Sequence, residues 1–359
     1  MSGFFRFLGA LLLLLIAVMV VGYLALRRPD IAYDTLKAKY GNAASRYMAL
    51  SDGVVVHYRD QGDKSAPALV MVHGFSASLI DWEPWVQRLD RNYRIITLDL
   101  PGHGLTSAPV GYKPDADSAI VDELTTRLGA PHFVLIGNSM GGGVALDYAM
   151  HHADRLDGLV LVDSAGWPQQ TQQGGSGNGP IIFKILRYPI GRALLRGIDI
   201  SPLIEQGLKS AFVDPKLVTP ALVERYAELA RAPGHRDLLL QAQSGGHSGP
   251  TVADLAHLKV PTLVMHGQDD RLIPFADGQA FARTIPNATL IGYPNVGHVP
   301  MEQIPDRSAA DLDHWLKTKA VQPAPPPTLP TLVAPDASGA PAPLPVPTGP
   351  PAPAGATTD

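Results

Sequence analysis

The chain has 359 residues, of which 45% are hydrophobic and 17% are charged, so it is long enough for one large domain or two ordinary ones with a sizeable core. Its formal net charge of −4 gives no basic surface, so nucleic acid is not an expected partner. The chain contains no cysteine, which excludes disulfides, thiolate metal sites and a cysteine nucleophile.

The amino-terminal segment is strongly apolar. The stretch from Phe7 to Leu26 carries no charge and is long enough to cross a bilayer core of about 30 Å as a helix. We predict that residues 1–28 form an uncleaved membrane anchor, with a cleaved signal sequence as the alternative, and that residues 29–43 are a linker. The flanking charges, Arg6 before the stretch and Arg27 and Arg28 after it, do not fix the side of the membrane.

Strand-like and helix-like segments alternate from about residue 44 to residue 319, which predicts an α/β fold. We expect a mostly parallel eight-stranded sheet with helices on both faces, built from residues 44–166 and 253–319. The predicted strands are Tyr47–Leu50, Val54–Arg59, Ala68–Val72, Tyr93–Leu98, Phe133–Ile136, Gly158–Val162, Thr262–Met265 and Thr289–Gly292.

Residues 167–252 interrupt this alternation. They contain a polar glycine-rich loop, 169–179, and helix-like pieces at 181–195, 202–212 and 220–232, but no convincing strand. We predict a helical cap over the carboxyl edge of the sheet, where open α/β sheets bind ligands. Residues 320–359 are rich in Pro and Ala, which predicts a disordered tail.

A serine between two glycines stands at a predicted strand-to-helix junction. Gly137-Asn138-Ser139-Met140-Gly141 follows an apolar strand and opens a helix. This pattern indicates a nucleophile elbow, in which a strained turn exposes the serine hydroxyl above the sheet. The flanking positions must be glycine because a Cβ would collide with the neighbouring strand or helix.

A nucleophilic serine needs a base and an acid, and on this architecture both follow it in the chain. His298 lies in a Gly/Pro-bounded loop after the last predicted strand and is the expected base. The expected acid is one of three aspartates at strand ends, which we rank in the order Asp270, Asp163 and Asp269.

Two backbone amides should stabilise the developing oxyanion. We expect them to belong to Met140, directly after the nucleophile, and to Phe75, in the His73-Gly74-Phe75 loop after the third strand. His73 is expected to shape that loop, and His103 to lie in a structural turn. No metal-binding, phosphate-binding or dinucleotide motif is present in the sequence, so we expect neither a metal nor a cofactor.

Taken together, these motifs resemble the α/β-hydrolase superfamily over nearly all of residues 46–317. The matching segments are His73-Gly74-Phe75, Asp99-Leu100-Pro101-Gly102-His103-Gly104, Gly137-Asn138-Ser139-Met140-Gly141-Gly142, the loop 267–274 and Gly297-His298-Val299-Pro300. The family's acid aligns with Asp270. The chain resembles membrane-associated monoacylglycerol lipases and cold-adapted bacterial lipases in three features: Asn138 before the serine, the hydrophobic anchor and the His-Gly-Phe-Ser loop. The single-glycine oxyanion loop implies medium or long acyl chains.

The leading functional hypothesis is a membrane-anchored serine esterase or lipase that acts on a small-molecule or lipid ester, with acylglycerols as a candidate class. The first alternative keeps the three catalytic groups but hydrolyses a carbon–carbon bond, as the resemblance to meta-cleavage product hydrolases implies. The second is a tethered α/β-hydrolase-fold module that binds a ligand without turning it over. The oligomeric state is not predicted.

Overall fold

The computed structural model describes residues 2–113, 117–168, 188, 196–242 and 249–320. Its centre is an eight-stranded sheet in the order β1-β2-β4-β3-β5-β6-β7-β8. The strands are β1 (Ser45–Ala49), β2 (Val55–Gln61), β3 (Ala68–Val72), β4 (Arg94–Leu98), β5 (Phe133–Asn138), β6 (Leu156–Val162), β7 (Thr262–Gly267) and β8 (Ala288–Tyr293). The fold class and the eight predicted strands are confirmed, with boundaries that differ by at most two residues.

The sheet is mostly parallel. β1 and β2 pair antiparallel with each other, β2 pairs antiparallel with β4, and the remaining neighbours run parallel. All five residues of β3 are buried, and successive side chains enter two different core clusters, Val70 and Val72 in one and Leu69 and Met71 in the other. A strand that is apolar at every position is therefore explained by burial on both faces.

Helices cover both faces of this sheet. The described α-helices outside residues 167–252 are α1 (Ser2–Leu26), α2 (Tyr33–Tyr40), α3 (Glu83–Leu89), α4 (Asp117–Arg127), α5 (Met140–His151), α10 (Phe275–Thr284), α11 (Pro300–Gln303) and α12 (Pro305–Trp315), which a π-helical turn extends to Ala320. Helices α4, α5 and α10 contribute to the core cluster of Val70, whereas α3 and α12 contribute to that of Leu69. Trp85 links α3 to α12, because its indole nitrogen donates a hydrogen bond to Ser308 Oγ at 2.8 Å.

The region predicted as a cap holds helices α6 (Ser201–Ala211), α7 (Pro220–Leu229) and α8 (His235–Ala242), and α9 (Val252–His257) begins at its last residue. Side-chain caps begin two of them, Thr219 at α7 and Thr251, in a reciprocal capping box with Asp254, at α9. The predicted glycine-rich loop 169–179 and the predicted helix 181–195 lie outside the described residues, apart from Tyr188. The tail from residue 321 onward also lies outside them.

The range predicted as a linker contains a helix. In α2, Leu36 is 1% exposed and packs in a cluster with Leu105 and Leu229. Lys39 bridges Glu224 and Glu228 of α7 at 2.7 Å. The sequence did not indicate this helix because only one apolar residue is fully buried, and contacts with distant residues supply the rest of its stability.

Helix α1 is long and apolar enough to cross a membrane. The span Gly3–Leu26 has a mean hydropathy of 2.8, and none of its most apolar window is buried. The end of α1 and the residues after it are tied to residues 197–199 of the predicted cap, because the Arg28 amide donates to the Gly197 carbonyl and the Asp199 amide to the Leu26 carbonyl, both at 2.8 Å.

Candidate active site

Ser139 occupies a strained turn between β5 and α5. Its φ is 53° and its ψ is −119°, a conformation that costs a non-glycine residue about 1–3 kcal/mol. A Cβ on Gly137 would lie 2.1 Å from the Gly141 carbonyl oxygen, and one on Gly141 would lie 2.3 Å from that of Val72. Both neighbours are backbone atoms that cannot move aside, so the elbow needs glycine at each position, as the sequence predicted.

His298 lies in the loop between β8 and α11 and is 6% exposed. Its Nδ1 is 2.7 Å from Asp270 Oδ2. Asp270 Oδ1 accepts hydrogen bonds from the amides of Leu272 at 2.7 Å and Ile273 at 3.1 Å. Burial works to raise the pKa of Asp270, but the hydrogen bond with His298 and the two amides outweigh it, so the pKa lies below its ordinary value. Asp270 is therefore ionised at neutral pH beside the imidazole.

The other two candidate acids contact different partners. Asp269 is exposed, and its Oδ2 accepts a hydrogen bond from the Asn295 amide at 2.8 Å, which closes the turn after β8. Asp163 is fully buried, and its Oδ1 accepts from the Gly267 amide at 2.8 Å. Of the three aspartates, only Asp270 is hydrogen-bonded to His298 in the described part of the chain.

The loop after β3 lies directly against the elbow. A Cβ on Gly74 would be 2.9 Å from Asn138 Oδ1 and 3.2 Å from Ser139 Cβ. Phe75 follows in a turn, and its amide is not a donor in any hydrogen bond found among the described residues. Met140 is the first residue of α5, where an amide has no partner within the helix. The amides of Phe75, which lines the same cavity as Ser139, and of Met140 thus remain available to an oxyanion.

Two other histidines support this region from beneath. His73 is fully buried, its Nδ1 lies 2.7 Å from the Gly74 carbonyl and its Nε2 accepts from the Leu100 amide at 3.0 Å. His103 packs its ring against those of His73 and Phe75 at centroid distances of 5.0 and 5.9 Å. Burial lowers the pKa of His103 well below its ordinary value, so it stays neutral. These contacts match the structural roles predicted for both residues.

A cavity of about 660 Å³ opens over Ser139 and His298. Its size is typical of small-molecule sites. Most of its lining is apolar, and much of that lining comes from α6 and α8. The apolar side chains are Phe75, Ala77, Ile200, Leu203, Ile204, Leu208, Ala211, Leu239, Leu240, Leu272 and Val299.

The charged residues of the cavity wall are already paired. Asp81 accepts hydrogen bonds from Arg225 at 2.9 Å and from the Tyr226 hydroxyl at 2.6 Å. Arg236 donates to the Arg28 carbonyl at 2.9 Å and to Asp30 at 2.5 Å. Arg236 is the one cationic residue among the described residues that line the cavity. Its two bonds connect the wall to the segment that follows α1.

Asn138 is a site residue whose role the sequence did not reveal. Its side-chain nitrogen donates to the carbonyls of Val162 and His298, each at 3.1 Å. It therefore links the end of β5 to the end of β6 and to the loop of His298. The available signal was a single amide at the end of an otherwise apolar strand, and a buried amide of this kind requires partners.

We expect Asn138→Ala to reduce kcat/KM about ten- to hundred-fold and to lower the unfolding temperature. The substitution removes the Asn138 donor from the carbonyls of Val162, which keeps the Ser139 amide at 3.0 Å, and of His298, and it frees the loop that holds the imidazole. Steady-state kinetics and thermal unfolding measure the two effects. Unchanged kinetics in a folded variant would contradict this role for Asn138.

One cluster has the spacing of a metal site. Asp163, His266 and Asp270 each offer a ligand atom, and these atoms lie within 4.8 Å of one another. However, Asp270 Oδ2 faces His298, Asp163 Oδ1 faces the Gly267 amide, and His266 Nε2 is 3.1 Å from the Ile273 carbonyl. Each of the three residues has one of these atoms engaged in a hydrogen bond, and we assign the cluster no metal.

Comparison with known proteins decides the family. Residues 69–311 match the alpha/beta hydrolase family, a range that includes every residue of the site described above. The chain belongs to the alpha/beta hydrolase family. The predicted superfamily is thereby confirmed, and the protein is a hydrolase of this fold.

Several members of the alpha/beta hydrolase family are similar to this chain. A 2-hydroxy-6-oxononadienedioate/2-hydroxy-6-oxononatrienedioate hydrolase of Burkholderia vietnamiensis is 30% identical over 72% of this chain and 90% of its own. Lipase 1 of Psychrobacter immobilis is 25% identical over 73% and 80% of the two chains. The crystal structure of a membrane phospholipase A, described as a bacterial virulence factor, covers 88% of this chain and 99% of its own with a TM-score of 0.62 and 24% identity.

Proposed function

We propose that this protein is a membrane-anchored serine hydrolase that cleaves carboxylic esters with apolar acyl chains. The observation that carries the proposal is the cavity of about 660 Å³ over Ser139 and His298, whose described wall is mostly apolar and whose charged residues Asp81 and Arg236 already have partners. A hydrocarbon chain gains about 25 cal/mol for each Å² of its surface removed from water in such a cavity.

The pairing of Arg236, the one cationic residue in the described part of the cavity wall, favours a neutral substrate. Arg236 donates to the Arg28 carbonyl and to Asp30, so an anionic group on a substrate would have to displace Asp30 to reach it. Burying an unpaired carboxylate in an apolar cavity is costly. An uncharged acyl ester meets no such penalty.

The first half of the reaction follows from the three side chains. His298 takes the proton of the Ser139 hydroxyl while Oγ attacks the ester carbonyl. The ionised Asp270, hydrogen-bonded to His298 Nδ1, stabilises the imidazolium that forms. The carbonyl oxygen becomes an oxyanion facing the amides of Phe75 and Met140. The intermediate collapses, the imidazolium protonates the departing alcohol, and an acyl group remains on Ser139.

The second half repeats the chemistry with water. His298 takes a proton from a water molecule as its oxygen attacks the acyl carbonyl. The resulting intermediate releases a carboxylic acid, and the proton returns to Ser139. The apolar side chains around the acyl group limit the entry of further water.

The anchor supports a lipid-phase or amphiphilic substrate. Helix α1 has the length and composition of a membrane span, and the chain that follows it is hydrogen-bonded to the segment leading into α6. A relative named as a lipase is similar to this chain. That similarity favours ester hydrolysis, and residues 1–28 are proposed as an uncleaved anchor.

The proposal is tested with full-length protein in detergent micelles. A fluorophosphonate probe should label Ser139, and kcat/KM for nitrophenyl esters should rise up to about four-fold with each added methylene until the cavity is filled. Ser210→Ala removes a second hydroxyl from the cavity wall and should leave the labelling unchanged. A maximal kcat/KM with nitrophenyl acetate, the shortest ester of the series, or no labelling of Ser139 would contradict the proposal.

Carbon–carbon bond hydrolysis is the second candidate, favoured by the similarity to 2-hydroxy-6-oxononadienedioate and 2-hydroxy-6-oxo-6-phenylhexa-2,4-dienoate hydrolases. Those names describe acidic substrates, whose carboxylates would need a cation in the cavity that is not already paired, as Arg236 is with Asp30. A 2-hydroxy-6-oxo-dienoate therefore belongs in the same panel, followed by the loss of its absorbance. Faster turnover of that compound than of any ester would favour this candidate. Absence of both activities and of probe labelling would favour a non-catalytic binding module.

A further inference from the structure

Asp163 occupies a position that the mechanism above does not use. It directly follows β6, at the same edge of the sheet as Ser139 and Asp270, and is 0% exposed. Its φ is 44°, in the left-handed region that non-glycine residues seldom adopt. Strain of this kind at a buried carboxyl group indicates that the surrounding structure holds the side chain in a specific place.

The two carboxyl oxygens of Asp163 have different surroundings. Oδ1 accepts a hydrogen bond from the Gly267 amide at 2.8 Å. Oδ2 is buried and has no hydrogen-bond partner among the described residues. The carboxyl groups of Asp163 and Asp270 each offer an oxygen, and these two oxygens lie within 4.8 Å of each other. Two ionised carboxylates have only acceptor oxygens, so a hydrogen bond between the two side chains requires a proton on one of them.

The hydrogen bonds show which residue carries the proton. Asp270 accepts from His298 and from two amides, all of which favour its charged form, and its pKa is lowered. Asp163 accepts from one amide only. Burial, and next the charge of Asp270, raise the pKa of Asp163 well above its ordinary value. The proton therefore resides on Asp163.

Building on the proposed function, we propose that Asp163 is a positioning residue: a neutral carboxylic acid whose Oδ2–H donates a hydrogen bond to the Asp270 carboxylate and holds it against His298. A buried carboxyl group kept neutral so that it can donate is a known device of enzyme sites. It limits the site to one negative charge. A second charge would stabilise the His298 imidazolium, which cannot act as a base.

The groups around Asp163 are consistent with a single proton on it. Asp270 and His266 face it from the end of β7 and the loop that follows, Tyr293 faces it from β8, and His298 lies beyond Asp270. His266 Nε2 is 3.7 Å from Asp163 Oδ1, too far for a hydrogen bond. Burial lowers the pKa of His266, so this ring is neutral and does not neutralise a second carboxylate.

Two substitutions at Asp163 test whether its side chain acts as a hydrogen-bond donor or as a negative charge. Asp163→Asn keeps an acceptor for Gly267 and a donor for Asp270, and Asn tolerates a positive φ. We expect kcat/KM within about three-fold of wild type and an unchanged apparent pKa for the acid limb of the pH profile. Asp163→Gly accepts the backbone conformation but removes the donor. We expect it to lower kcat at least ten-fold and to move that apparent pKa upward by about half a unit.

The pH profile is measured twice, from ester turnover and from the rate at which a fluorophosphonate labels Ser139 in the full-length protein. Labelling reports the ionisation of His298 without a natural substrate, so the inference survives if the protein hydrolyses no ester but the labelling profiles behave as expected. Asp269→Asn, which neutralises an exposed carboxylate, is the matched control and should not move either profile.

A downward shift of the acid limb by half a unit or more in a folded Asp163→Asn variant would overturn the proposal, because it would mean that Asp163 carries a charge. A loss greater than about 30-fold in that variant would overturn it as well, since the donor is retained. Loss of wild-type activity on dialysis against EDTA would also overturn the proposal, because a bound cation, and not a proton, would then lie between the two carboxylates.

Discussion

Ser139→Ala should hydrolyse esters slower than wild type by a factor on the order of 10⁴ to 10⁶ in kcat. The substitution removes the oxygen that forms the acyl-enzyme but leaves the cavity and the candidate oxyanion amides of Phe75 and Met140 in place. Binding should therefore persist. Initial rates with a long-chain nitrophenyl ester measure the loss, and displacement of a fluorescent fatty-acid analogue measures the binding that remains.

The control for this variant is its stability. Ser139 has a φ of 53°, which alanine tolerates no better than serine, so we expect a similar or slightly lower unfolding temperature. A folded Ser139→Ala protein with ester activity within ten-fold of wild type would contradict the assignment of the nucleophile. An unfolded variant is recognised by its melting curve, and Ser139→Gly, which accepts this backbone conformation, then replaces it.

Asp270→Asn should lower kcat by about 10⁴, with a much smaller change in KM. An amide at this position is neutral, so it cannot stabilise the imidazolium of His298. It also presents a nitrogen or an oxygen to Nδ1 where the native contact of 2.7 Å needs a carboxylate oxygen. The imidazole then favours the tautomer that cannot accept the Ser139 proton. Steady-state kinetics over a range of pH measure the loss.

The neighbouring aspartate supplies a matched control for Asp270→Asn. Asp269→Asn makes the same chemical change one residue earlier, at an exposed side chain that accepts from the Asn295 amide at 2.8 Å. An asparagine side chain can still accept that bond through its carbonyl oxygen, so kcat should stay within about two-fold of wild type. Equal losses in the two variants, or a larger loss in Asp269→Asn, would contradict the choice of Asp270.

The parts of the fold that the sequence predicted best have strong local signals. Every residue of β3 is apolar and buried, so this strand is recognisable as a short continuous apolar run. The elbow is recognisable because backbone crowding at Gly137 and Gly141 permits no other residue. Chain order then restricts the expected base and acid to a few loops after Ser139.

Features that depend on distant contacts were not predictable in this way. The hydrogen bond from Asn138 to the His298 carbonyl joins residues 160 positions apart, and the contact between Asp163 and Asp270 depends on the pairing of β6 with β7. The sequence could rank the three aspartates but could not show that two of them meet. Helix α2 was treated as part of a linker because its stabilising partners, Glu224 and Glu228, lie on α7.

Substrate class depends on the cavity wall, which is assembled from separated segments. The pairing of Arg236 with Asp30 brings together the segment after α1 and the start of α8. A sequence that contains an arginine near the active site therefore does not by itself indicate recognition of an acid. In this protein the same side chain ties the wall of the cavity to the segment after the proposed anchor.

The most direct test of the central claim is to identify the acylated residue during turnover. Full-length protein is mixed with a long-chain nitrophenyl ester, quenched in acid within the first turnovers, and digested for mass spectrometry. Our account predicts the acyl group on the peptide that contains Ser139, and its absence from the Ser139→Ala variant. An acyl group on another residue, or steady hydrolysis with no acylated peptide at any quench time, would contradict it.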